Sequence, residues 1–186
     1  MEVTVIRSDR KTLGIEIRPD GTLLVRAPRR MPEYKIRGML KEKEPWIRSH
    51  LAKLSEVRKK MPALPPLDDG EKQRLRDAAK VAIPPRVAYF ADLMGVEYGK
   101  ITLRFQKTKW GSCSSDGNLN FNCLLMLAPP DVLDSVIVHE LCHRVDMSHS
   151  ASFYAQVRRV LPTYDRSRAW LKENGPILLE RAFPQE

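Results

Sequence analysis

One stretch constrains this chain more than any other: Val136-Ile137-Val138-His139-Glu140-Leu141-Cys142-His143, followed six residues later by His149. Residues four apart share one face of a helix, so a helix here aims His139 and His143 at one point. Glu140 falls about 100° round the helix axis, near that point but off the ligand face, where a general base belongs. Catalytic zinc takes three protein ligands and keeps a further position for water. His149 completes the set if the chain turns back after His143. The plainer reading makes the histidines polar residues on an amphipathic helix. Against it, Val132, Leu133, Val136, Ile137, Val138, Leu141 and Val145 surround the motif almost all the way round, and so apolar a helix is buried. Two buried histidines and a glutamate without partners are costly, whereas a metal satisfies all three. The expectation is one zinc ion per chain, held by His139, His143 and His149, with Glu140 as the catalytic base.

At 186 residues, 42% hydrophobic and 30% charged, the chain is long enough for one globular domain with an appendage. Residues 1–66 carry 16 Lys/Arg against 8 Asp/Glu, while residues 67–186 carry 16 against 15, so the net charge of +9 sits almost wholly in the N-terminal third. Such an excess suits nucleotide phosphates, nucleic acid or another acidic partner; ordinary solvated lysines are the other reading. The three cysteines, Cys113, Cys123 and Cys142, lack Cys-x-x-Cys spacing, which suits a reducing cytoplasm. Cys142 points off the ligand face and is expected to pack. Met1 to Lys11 has no apolar leader core, and no run approaches a membrane span. A cytoplasmic protein without a membrane partner is expected.

Two regions are expected, 1–66 and 67–186. In the first, Val3–Arg7, Leu13–Arg18 and Leu23–Ala27 read as strands of an antiparallel β-meander, with a turn at Pro19-Asp20-Gly21. Helical spacing follows from Pro32 through Ile36, Met39, Leu40, Trp46, Ile47, Leu51 and Leu54, with Pro45 breaking or starting a helix and Trp46 as a core anchor. Met61–Gly70, with three prolines and a glycine, reads as a linker. Asp68 or Asp69 caps a helix that Pro84-Pro85 should kink or restart, and that Gly95 stops. Ile101–Phe105 and Leu119–Leu127 alternate like strands, the second with Asn120 and Asn122 on one face. Lys109–Asn118 reads as a loop or hairpin turn. Pro129-Pro130-Asp131 opens the motif helix. Ser148 or Ser150 caps the next, which Pro162 ends. A last helix runs from Thr163 to a stop at Gly175.

Lys109–Ser115 (Lys-Trp-Gly-Ser-Cys-Ser-Ser), Leu127-Ala-Pro-Pro130, His139-Glu-Leu-Cys-His143 and His149-Ser150-x-x-Phe153, with Arg7-Ser8 and Trp46-Ile47, resemble the YgjP-like metallopeptidase-domain family, which is related to SprT-like and WLM zinc peptidases. The resemblance implies an α+β, zincin-like domain with a sheet packed on the motif helix and zinc on His139, His143 and His149. Family members carry a strand pair after the N-terminal helix that Pro65-Pro66-Leu67 here replaces, and small residues are common where this chain has Cys142.

The expected reaction is peptide hydrolysis: zinc acidifies a water and polarises the scissile carbonyl, and Glu140 takes the water's proton and passes it to the leaving amine. A peptide or protein substrate could pair as an added strand with the strand through Asn120 and Asn122, with Trp110 and Ser112 lining the cleft; a packed indole at a structural turn is the other reading of Trp110. Asp146 occupies the position that is glycine in His-Glu-x-x-His-x-x-Gly-x-x-His enzymes, so His149 must arrive by a different turn. A second reading keeps the metal and makes the substrate a nucleoside triphosphate of the UTP type, cleaved as by a pyrophosphatase. No Gly-rich cradle or carboxylate cluster supports it. A third reading, a non-enzymatic binding module with structural zinc, fits poorly, since structural sites are usually closed and cysteine-rich.

Overall fold

In the computed structural model, residues 3–18, 21–60 and 64–184 are described. The chain divides into two compact units, Met1–Leu64 and Pro65–Glu186. Pro19 and Asp20 of the expected turn, and residues 61–63 of the expected linker, lie outside the described residues.

The first unit contains β1 (Val3–Ser8), β2 (Gly14–Ile17), β3 (Leu23–Pro28), α1 (Glu33–Glu42) and α2 (Glu44–Lys60). Its three strands form a sheet, but not the antiparallel meander expected from their order. The spatial order is β1-β3-β2, with β1 parallel and β2 antiparallel to β3. The physical reason lies in β3, where Leu23, Leu24, Val25 and Ala27 are all buried. A strand apolar on both faces belongs in the middle of a sheet, and the less buried β1 and β2 take the edges. Val25 and Ala27 pack on Ile36 of α1. Pro45 stands at the second position of α2, where its missing N–H costs nothing. Trp46 is not a core anchor: it is 43% exposed, with its ring centroid 4.3 Å from that of His50, while the neighbouring Ile47 is buried.

The second unit contains α3 (Asp69–Met94), β4 (Ile101–Arg104), β5 (Gly111–Cys113), β6 (Leu119–Asn122), a 3-10 turn (Cys123–Leu127), α4 (Pro130–Cys142), α5 (Ala151–Val160) and α6 (Tyr164–Ala182). Asp68 caps α3 in a reciprocal box with Glu71. The helix does not restart at Pro84-Pro85. The two carbonyls that lose their donors belong to Lys80 and Val81, both on the exposed side of the helix, while Ile83 and Val87 hold the turns on either side in the core. The helix stops at Gly95, as its spacing predicts.

The second sheet is mixed rather than antiparallel, in the order β4-β6-β5 with β4 parallel to β6. Its Leu119 and Phe121 join α4, α3 and α5 in one core through Ile137, Leu141, Ile83, Val87 and Phe153. Each fully buried Leu or Ile side chain contributes about 1.5–3 kcal/mol, so α4 is held chiefly by apolar burial. Arg86 adds a clasp, donating from Nε to Asp134 Oδ1 at 2.9 Å. Ser150 caps α5 by accepting from the Phe153 N–H, and Cys142 is fully buried packing.

α6 passes through Gly175 and Pro176 instead of stopping. Gly175 serves close approach here: a Cβ at this position would lie 2.9 Å from Cζ2 of Trp110. The glycine is a notch for the indole, and Pro176 costs only the N–H donor to the carbonyl of Lys172, an exposed residue.

Candidate metal centre and cleft

α4 delivers His139 and Glu140 from its last turn, and His143 is its C-cap residue. His143 Nδ1 then lies 3.1 Å from the carbonyl of Asp146, which fixes the ring and leaves Nε2 outward. The Asp146 carboxylate builds the turn that brings His149 back, accepting from the Ser148 N–H at 2.8 Å and from Ser150 Oγ at 3.1 Å. An aspartate-anchored turn thus takes the place of the glycine turn. Those hydrogen bonds also hold the Asp146 carboxyl below its ordinary range.

The result is convergence. Ligand atoms of His139, His143 and His149 lie within 4.8 Å of one another, with His139 Nε2 3.1 Å from His149 Nε2. Tetrahedral zinc with nitrogen ligands needs separations of about 3.3 Å. Burial, aided by the charges of His143 and His149, pushes His139 down to about 4, and burial also lowers His143. Three imidazoles with converging nitrogens form a donor set that fits a divalent cation.

Tyr164, the first residue of α6, carries a role that sequence spacing did not reveal. Its hydroxyl lies 2.9 Å from His139 Nδ1, so a His139 that ligates through Nε2 donates its other N–H to the phenol oxygen. Tyr164→Phe is expected to weaken metal affinity about 10- to 100-fold, measured by competition with a chromogenic chelator; unchanged affinity would reduce Tyr164 to packing.

Glu140 is 6% exposed and makes no ion pair among the described residues. Burial raises its carboxyl to about 7 against the opposing pull of Lys109 and of the nearby Cys113 backbone. Its seat is Gly111, where a Cβ would stand 2.7 Å from Oε1 and 2.8 Å from Cγ of Glu140. Gly111→Val is therefore expected to displace the carboxylate and lower turnover more than about 10-fold, with bound metal retained. Full activity in that variant would show that the seat does not position the base.

The raised carboxyl also has a stability consequence. Above its folded-state value near 7, the ionised Glu140 costs stability that is absent below 4.5, its value when unfolded. In chelator-treated protein, Glu140→Gln is expected to melt at a higher temperature than the parent at pH 8, with the gap closing as the pH falls through this window. A gap independent of pH would contradict the assignment.

A cleft of about 210 Å³ opens beside His139 and Glu140, lined also by Lys109, Trp110, Tyr164, Arg168 and Leu171. Trp110 both packs on Gly175 and lines this cleft, so the two readings of it coexist. The other expected substrate contacts lie elsewhere. Ser112 pairs with Asn120, whose Nδ2 donates to Ser112 Oγ at 3.3 Å. Strand alternation puts both on the sheet face opposite Gly111 and Phe121. Asn122 is fully buried, donating to the carbonyls of Gln106 at 2.8 Å and Lys109 at 2.9 Å and accepting from the Leu124 N–H. It shapes the loop that carries Lys109 and Trp110 rather than meeting a ligand. Nor can β6 accept an added strand, because β4 and β5 occupy both its edges.

A histidine cluster built from the end of one helix and the turn after it, beside a buried carboxylate in an open cleft, is the arrangement of a metallopeptidase. The chain belongs to the YgjP-like metallopeptidase-domain family, whose model matches residues 11–78 and 72–174. That membership makes it a metal-dependent, metallopeptidase-like enzyme and implies a divalent metal. No curated protein matches the chain significantly. Two solved structures are similar. One is the metallopeptidase zymogen abylysin of Pyrococcus abyssi (21% identity, 47% of this chain and 91% of that chain covered, TM-score 0.43), and the other is the zymogen jannalysin of Methanocaldococcus jannaschii (21%, 46% and 88%, TM-score 0.41). No described helix is long and apolar enough to cross a membrane.

Proposed function

We propose that the chain is a zinc-dependent peptidase in which His139, His143 and His149 hold the ion and Glu140 is the general base. The observation that carries this reading is the Glu140 carboxylate itself, buried without an ion-pair partner, seated on Gly111 and adjacent to the histidine cluster. Such a group costs stability and is retained where chemistry needs it. Zinc bound there supplies Lewis acidity and brings the pKa of water toward neutrality. Glu140 takes the proton from the attacking water on a carboxylate oxygen and returns it to the departing amine nitrogen. The Gly111 notch orients that carboxylate, and Tyr164 orients His139.

The strand able to pair with an extended substrate is β5. The Trp110–Asn122 and Ser114–Asn118 backbone bonds point inward to β6, so alternation turns the backbone groups of Gly111 and Cys113 outward, toward Glu140. The Pro65–Glu186 unit contains all of these groups and is on this reading the catalytic domain, while the basic first unit is the place for an acidic partner. Chelation is expected to stop cleavage of an unfolded protein and zinc to restore it; cleavage that survives complete metal removal would contradict the proposal.

A further inference from the structure

Two cations, Lys109 and Arg168, line the same cleft as Glu140 and His139. Neighbouring arginines are neutralised: Arg158 pairs with Asp165 at 2.7 Å, Arg166 with Asp131 at 3.7 Å and Arg181 with Glu71 at 3.8 Å. Arg168 makes no close ion pair among the described residues; the carboxylate that feels its charge, Asp165, is hydrogen-bonded by Arg158. Instead its guanidinium lies over the ring of Tyr154, 5.3 Å from the centroid. A cation–π contact uses the charge but none of the N–H donors, so these are left for a planar, two-oxygen acceptor. Glu140, the one carboxylate among the residues lining the cleft, is seated on Gly111. Trp110, Val136 and Leu171 add apolar wall beside Ser135 and Tyr164, so a bound anion there meets less competing water than on an open surface.

We propose that Arg168, assisted by Lys109, is a specificity-determining residue that binds a carboxylate of the peptide substrate beside the scissile bond. This inference rests on the peptidase reading and names the class of peptide it selects. The carboxylate has two sources, an Asp or Glu side chain or the free C-terminus of the substrate, and the shared chemistry is a charge-assisted, two-point hydrogen bond.

The test compares matched peptides with the zinc-loaded protein: acidic side chain with amidated C-terminus, neutral side chain with free C-terminus, and neutral side chain with amidated C-terminus. The wild type is expected to favour one acid-bearing peptide over the neutral amide in kcat/KM, mainly through KM. Arg168→Gln should reduce that preference about 10- to 100-fold, with Lys109→Gln giving a smaller loss and Arg168→Lys a partial rescue. Whichever acidic peptide is favoured identifies the source. Cleavage with no acid preference, or a preference unchanged in Arg168→Gln, overturns this inference and leaves the peptidase reading standing. Binding of the same peptides to Glu140→Gln protein separates the two claims. Arg168-dependent acidic binding without any cleavage by the wild type sustains the carboxylate site and overturns the peptidase reading; neither binding nor cleavage overturns both.

Discussion

Replacing Glu140 with glutamine is expected to lower turnover by at least about 100-fold, since a positioned general acid–base contributes roughly 10²–10⁴-fold. Glutamine keeps the shape of the side chain and can still fill the seat against Gly111, so the fold has no reason to change. It cannot take a proton from water. Metal content should remain at about one ion per chain, because the three nitrogens that converge come from His139, His143 and His149. The pair of readings matters more than either alone. Lost turnover with retained metal isolates the proton-transfer step, whereas lost turnover with lost metal would show that the carboxylate itself helps to hold the ion. Turnover of wild-type rate would remove Glu140 from the chemistry.

The second large effect is expected at His149. It is the exposed member of the triad and reaches the other two only because the Asp146 carboxylate builds the intervening turn. Removing an outer-shell partner of a ligating histidine typically costs 10–100-fold in affinity, so removing a ligand should cost on the order of 100-fold or more. His149→Ala should therefore release metal to a weak chelator while its melting temperature in chelator stays close to that of metal-free wild type. Ordinary affinity in this variant would mean that another residue supplies the third ligand. The ring is exposed and touches the core at Phe153, with centroids 5.2 Å apart, so little packing is lost with it.

The parts of this site that were legible in the sequence are those set by local periodicity. His139, Glu140 and His143 follow from helical spacing inside an apolar run, and the Asp68, Ser150 and Gly95 helix boundaries follow from capping chemistry. What was not legible depends on contacts distant in sequence. Gly175 reads as a helix stop because nothing local shows that Trp110, 65 positions earlier, needs its missing side chain. Tyr164 lies 25 residues from His139 and reads only as one more apolar helix position. Asn122 looks like a polar face residue in an alternating strand, yet its amide is consumed by a loop that folds back over it. The parallel pairing of β1 with β3 is of the same kind. Strand order is decided by which strand is apolar on both faces, not by which strands are consecutive.

Gly111 was visible as part of a glycine- and serine-rich stretch, but its role was not. The signal that could have found it is the coincidence of a glycine with a short edge strand next to a motif helix, where a buried carboxylate must approach backbone closely. The same geometry moves the proposed substrate-pairing edge from β6 to β5.

The most direct test of the central claim is to present the zinc-loaded protein with an unfolded protein and, in parallel, a nucleoside triphosphate, with Glu140→Gln as the blank, and to read both products by mass spectrometry. New peptide termini that are absent from the blank, without release of pyrophosphate, are the predicted result. Glu140-dependent pyrophosphate release with an intact polypeptide would contradict it, and would assign the cleft cations Lys109 and Arg168 to phosphate rather than carboxylate.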